Sequence, residues 1–127
     1  MSEPVKIELT YDGATESIYG EKVSGNIYKC LESSLFVDFI NYGCEIEVEE
    51  AEGILKFLGL YKESPYDTKR YVLSGALIES KEFEGFKNEI MRLGGYWEQA
   101  MGGVLIFHVP KEKKEMINLL LKMLYAD

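Results

Sequence analysis

Residues 5–19 carry the pattern that most constrains the fold. Val5, Ile7, Leu9 and Tyr11 alternate with Lys6, Glu8 and Thr10. A strand sends successive side chains to opposite faces, so this pattern predicts a strand with one wet face. Asp12-Gly13 follows at once. It is a strong hairpin signal, because a two-residue type I′ turn needs positive φ at both positions. The returning strand is expected over 14–19, followed by a polar loop at 20–25.

The β pattern continues. Residues 26–32 and 35–40 are further strand candidates, with Asn41-Tyr42-Gly43 as a turn after the second. Residues 45–50 alternate again, with Ile46 and Val48 opposite Glu45, Glu47 and Glu49. Ala51-Glu52-Gly53 reads as a hairpin tip. Residues 54–62 return, with a bulge expected at Gly59. The first half is therefore read as an antiparallel β-meander, or a half-barrel.

The character of the chain changes at Ser64-Pro65-Tyr66-Asp67. A strand is expected over 68–77. Ser80 can cap a helix, and Glu82 and Glu84 suit its positive N-terminus. Phe83, Phe86, Ile90 and Leu93 then form an apolar stripe at helical spacing. Gly94-Gly95 ends that helix. Strands are expected over 96–100 and 104–109, joined at Met101-Gly102-Gly103. Pro110 suits a first helical turn, and Met116, Ile117, Leu120, Leu121 and Leu124 are expected to form a buried face. The overall expectation is an α+β fold: the meander or half-barrel, then a ferredoxin-like βαββα unit. Its last strand is either absent or supplied by the first half. The chain of 127 residues is read as one domain, with an acidic all-β half (1–65) and a βαββα half (66–127).

Charge separates the same two halves. The net charge is −8, and residues 1–65 hold thirteen of the 22 acids but only five of the 14 bases. Such a field repels phosphate backbones, which argues against nucleic acid, and favours a basic protein partner. The apolar runs at 104–107 and 119–121 fall far short of the ~20 residues that span a bilayer. The start, Met1-Ser2-Glu3-Pro4, lacks the basic region of a signal peptide. A cytoplasmic, non-membrane protein is expected, with Cys30 and Cys44 as small buried or half-buried thiols. A native disulfide or a reactive thiol is the weaker expectation.

Few residues offer chemistry. His108 is the sole histidine, read as a strand-end residue bonded to a backbone group. Glu45, Glu47, Glu49 and Glu50 lead an acidic cluster whose carboxylates a strand would splay along a line. That geometry suits a solvated face or a docking surface for a basic partner better than a metal. Trp97 is a second candidate for partner binding. Arg70 is read as a structural clasp that could fork onto a carboxylate of the acidic half. No phosphate-binding glycine loop, nucleophile elbow or paired C-x-x-C occurs. No catalytic residue, metal or cofactor is assigned.

Several short motifs recur in order. They are Ile27-Tyr28-Lys29-Cys30-Leu31, Tyr42-Gly43, residues 53–57, Thr68-x-Arg70, Leu93-Gly94-Gly95 and Val109-Pro110. Together they resemble a catalogued family of small bacterial domains of unknown function, over residues 26–124. That family usually has an acid where this chain has Cys44. The resemblance implies the meander followed by βαββα and transfers no catalytic residue.

The leading functional expectation is a non-enzymatic protein-binding domain, in a specific version an inhibitor or immunity-type protein for a basic partner. The alternative is a small-ligand regulatory module of ferredoxin-like type, with homodimers conceivable. An enzyme comes third, and would need His108, Glu98 and Cys30 or Cys44 around one pocket.

Overall fold

Two Asx/Glx-glycine turns organise the first 65 residues. Asp12 and Gly13 have φ of 51° and 84°, and Glu52 and Gly53 have 54° and 80°. Each pair closes a tight hairpin with the twist that strands prefer. The first joins β1 (Val5–Tyr11) to β2 (Ala14–Ser24), and the second joins β4 (Glu45–Ala51) to β5 (Ile54–Lys62). Between them lies the short β3 (Ile27–Cys30). The computed structural model describes residues 3–100 and 103–125, the last helix by its backbone alone at residues 117, 120, 121 and 123–125. The chain divides into two compact units, Met1–Pro65 and Tyr66–Asp127.

The first unit is a closed barrel with strand order β1-β2-β3-β4-β5. Closure comes from a parallel pairing of β1 with β5, Ile7 opposite Leu55 and Glu8 opposite Lys56. The expected half-barrel is thus completed. Register shifts between Lys22 and Ser24, and at two points along β4, supply the twist that curls five strands onto themselves. One of these answers to Gly59: Glu47 pairs with Gly59 and Val48 with Phe57, so Leu58 is the extra residue. Ile7, Leu9, Ile18, Ile46 and Val48 fill the interior.

Two local expectations are corrected. Residues 20–24 continue β2 instead of looping, because Gly20 pairs with both Val5 and Cys30. A Cβ at Gly20 would stand 2.6 Å from Ile7 Cδ1, so the missing side chain makes room for the core. Residues 35–40 form no strand but an irregular loop. Side chains take up their amides, as set out below. Tyr11, expected on the apolar face, is 47% exposed.

In the second unit β6 (Tyr66–Val72), β8 (Val104–Pro110) and β7 (Tyr96–Ala100) form a three-stranded antiparallel sheet in that order. The expected strand 68–77 stops at Val72. Ser74 then caps a helical turn, α1 (Gly75–Ile78), by accepting the Leu77 N–H. Ser80 caps α2 (Lys81–Arg92) in the same way through the Phe83 N–H at 3.1 Å. Phe83, Phe86 and Ile90 pack on Leu105, Phe107 and Val109. Phe86 and Phe107 meet edge to face at 4.7 Å, a favoured aromatic geometry. A 3₁₀ turn (Lys111–Lys113) leads into α3 (Lys114–Tyr125), which lies near α2 and β8. Met116, expected to be buried, is 42% exposed; it sits in the first turn of α3 beside exposed residues 111–115. Ile117, Leu120, Leu121 and Leu124 lie outside the described side chains, as do Met101 and Gly102 of the expected turn. Among the described residues, no helix is long and apolar enough to cross a membrane.

Candidate functional site

The acidic strand is less bare than its sequence implies. Glu45 stands between Lys29 on β3 and Lys62 on β5, and Glu49 stands opposite Lys56. Three of the five bases of residues 1–65 therefore face these acids across the ladder, an arrangement that stabilises a sheet. Glu47 faces Ile27 and Gly59 instead. Glu50 lines a cleft of about 540 Å³ with Lys6, Glu8, Ser17, Tyr28 and Ile54. No cluster of acids, histidines or cysteines suited to a metal ion occurs among the described residues.

Trp97 and Arg70 lie on the three-stranded sheet. Trp97 pairs with Phe107 in register and packs half-buried against the helical core. The Lys87 ammonium sits 4.7 Å from its ring and 5.0 Å from that of Phe83. Cation–π attraction thus ties α2 to β7. Arg70 stands opposite Ile106, half-buried.

His108 is fully buried on the central strand. Its Nε2 is 2.6 Å from Glu98 Oε2, and its Nδ1 is 2.9 Å from Thr68 Oγ1. A carboxylate only accepts, so Nε2 carries the proton and Nδ1 of a neutral ring accepts the Thr68 O–H. Tyr96 stacks on the ring at 6.1 Å, and Tyr66 flanks it at 6.2 Å. The expected backbone bond is replaced by side chains from both neighbouring strands. With each nitrogen engaged, the array ties β6, β8 and β7 together. An enzyme built on His108, Glu98 and a cysteine would need all three at one place. Within the second unit His108 and Glu98 meet, and within the first Cys30 and Cys44 meet each other.

The barrel carries a more distinctive feature in the loop between β3 and β4. Glu16, on β2, takes three donors from it: the Ser34 hydroxyl, the Leu35 N–H at 3.0 Å and the Phe36 N–H at 3.2 Å. Ser34 Oγ accepts in turn from the Val37 N–H at 2.8 Å, and Ser33 Oγ from the Tyr42 N–H at 2.9 Å. Val37 and Ile40 plug into the barrel core. With the loop fixed at these points, its large side chains are displayed outward. Phe36 is 60% exposed, Leu35 38% and Phe39 36%. Phe39 also meets Tyr11 edge to face at 5.3 Å. Asp12 and Asp38, both exposed, neighbour these rings in sequence. The signal available in the sequence was Ser33-Ser34 ahead of an apolar run, since serine hydroxyls compete for backbone amides.

Replacing Glu16 with alanine leaves those donors without their acceptor. The expected cost is about 1–3 kcal/mol, read as a fall in the urea midpoint. Glu16→Gln, which keeps one acceptor oxygen, should lose less. Equal loss in both variants would mean that the carboxylate's charge, and not its hydrogen bonds, holds the loop.

The two thiols are fully buried with sulfurs 3.5 Å apart. The hydrogen bond between the two sulfurs holds the Cys44 thiol below its ordinary range, against burial. The same bond, reinforced by burial and by the negative charges of Cys44 and Glu32, pushes Cys30 far above it.

No family model matches the chain, and no curated protein matches it. Among solved structures it is similar to a hypothetical protein from Neisseria gonorrhoeae, with a TM-score of 0.66 and 18% identity over 96% of this chain and 89% of that one. At that identity the likeness is one of fold: a mixed α+β architecture dominated by strands.

Proposed function

We propose that this chain is a cytoplasmic, non-enzymatic protein-binding module whose barrel docks a basic partner on the Tyr11, Leu35, Phe36 and Phe39 surface. The observation that carries this reading is the loop itself: large apolar side chains held outward by a carboxylate-anchored backbone. Rigid exposed aromatics are what binding hot spots are made of, because little side-chain freedom is lost on contact. Charge adds direction. The acids of residues 1–65 outnumber the bases thirteen to five, which favours a Lys- or Arg-rich partner and disfavours phosphate-bearing surfaces. The β4 carboxylates contribute to the general field, since lysines already face two of them. An inhibitor of a basic protein is the specific form of this proposal. Membership of the domain-of-unknown-function family that the sequence resembles, if real, would carry no activity to it.

A peptide-display selection against the protein tests it. Selected peptides should be rich in Lys and Arg around an apolar anchor. Their affinity should fall about 30-fold, the equivalent of a hot spot of about 2 kcal/mol, in the Phe36→Ser/Phe39→Ser double variant. Peptides without basic residues, or equal binding to a folded double variant, would refute the proposal.

The cleft beside Glu50 favours a second reading, a small-ligand module, since its volume falls in the range of metabolite pockets. The strand order β6-β8-β7 supports reading this unit as ferredoxin-like without its last strand, and such units can pair as homodimers around ligands. A thermal-shift screen against amino acids and nucleotides separates the readings: a raised melting temperature supports the second one.

A further inference from the structure

Cys30 ends β3 and Cys44 immediately precedes β4, so the two thiols stand at the feet of the 31–43 loop. Their main chains are already joined. The Cys30 N–H donates to the Cys44 carbonyl at 2.8 Å, and the Gly43 N–H donates to the Cys30 carbonyl at 2.9 Å. Chains held at strand spacing lie within the Cα separation that a disulfide spans, roughly 4.4–6.8 Å. The sulfurs, 3.5 Å apart, need to approach by only ~1.5 Å to reach a bond of about 2.0 Å.

We propose that Cys30 and Cys44 are a modification site, forming a reversible intrachain disulfide when the protein meets a peroxide. The Cys44 sulfur attacks one peroxide oxygen and the O–O bond breaks. The leaving oxygen departs as water with the Cys44 proton, and Cys44 becomes a sulfenic acid. The Cys30 sulfur then attacks the Cys44 sulfur. The S–O bond breaks, and hydroxide leaves as water with the Cys30 proton. Two thiols have lost two electrons and two protons, and one peroxide has become two waters. Because both sulfurs are buried, the reaction proceeds through a local opening of the barrel that admits a small neutral oxidant. The product staples the loop at its base. It forms whether or not the loop binds a partner.

Native full-length protein is treated with hydrogen peroxide, quenched, and alkylated with N-ethylmaleimide in denaturant. Intact mass should show the doubly alkylated chain replaced by an unalkylated one lighter than the reduced chain by two hydrogens. That species should be monomeric on a non-reducing gel and restored by dithiothreitol. In Cys30→Ser the reaction should stop at Cys44 and take up one dimedone. Retention of both alkyl groups, a dithiothreitol-sensitive dimer, or overoxidised Cys44 in the wild-type chain would overturn the assignment. Hydrogen exchange at residues 35–39 should slow in the oxidised form, and unchanged exchange would overturn the stapling of the loop.

Discussion

Gly95→Ala is expected to destabilise the second unit by more than about 3 kcal/mol. The residue sits just past α2, where Gly94 takes a φ of 86° and the Gly95 N–H bonds the Ile90 carbonyl at 2.9 Å. A Cβ there would lie inside van der Waals contact with the His108 carbonyl oxygen. It would also stand 2.9 Å from the Ile90 carbonyl oxygen and 3.1 Å from Ile90 Cγ2. Two of these three obstacles are backbone. Relief would require opening the Tyr96–His108 register or the last turn of α2. Overpacking alone costs about 1–3 kcal/mol, and a backbone obstacle adds to that. The loss is large against the ~5–15 kcal/mol of a whole domain. Gly94→Ala is the control. Its added Cβ meets only Pro110 Cγ at 3.7 Å, so the cost is the strain of a left-handed alanine, about 1 kcal/mol. Trp97 is the only tryptophan and packs on this core, so its fluorescence during urea titration reads the unit directly. Equal midpoints for the two variants would contradict the close approach.

Ile7→Ala is expected to do comparable damage to the barrel. Ile7 is fully buried and lies on the one strand that pairs with both β2 and β5. Truncating a buried isoleucine costs about 2–5 kcal/mol, including the cavity left behind. The thiols report the result, since Cys30 and Cys44 are fully buried members of the same core. A loss of at least 2 kcal/mol should speed their labelling about 30-fold when opening precedes reaction. An unchanged labelling rate would show that Ile7 does not hold the barrel closed.

Local chemistry explains which parts of this fold were legible in the sequence. Asp12-Gly13, Glu52-Gly53, Ser80 and Gly94 act within a few residues of themselves, and each does in the structure what its type dictates. The loop at 35–40 reads as a strand because its residues are apolar and β-prone. Its amides go instead to Glu16, about twenty positions earlier, and to Ser34. No window along the chain contains that information. Closure was hidden for a similar reason: alternation shows which face of a strand is wet but not which strands are neighbours. The candidate sites follow the same rule. The acids of β4 were plain in the sequence, yet the lysines facing them come from β3 and β5. His108 was plain too, while its partners Thr68 and Glu98 are supplied by register on either side.

The parallel closure of the barrel also bears on how the chain is made. During synthesis the β1–β2 hairpin emerges before the rest of the barrel, but its other edge has no partner until β5 has left the ribosome. At ~5–20 residues per second, the interval between Ser24 and Lys62 lasts on the order of 2–8 s. Throughout it Ile7, Leu9 and Ile18 are an uncovered apolar face beside an unpaired strand edge. A nascent chain halted before Lys62 is therefore the form of this protein on which a ribosome-associated chaperone has most to act.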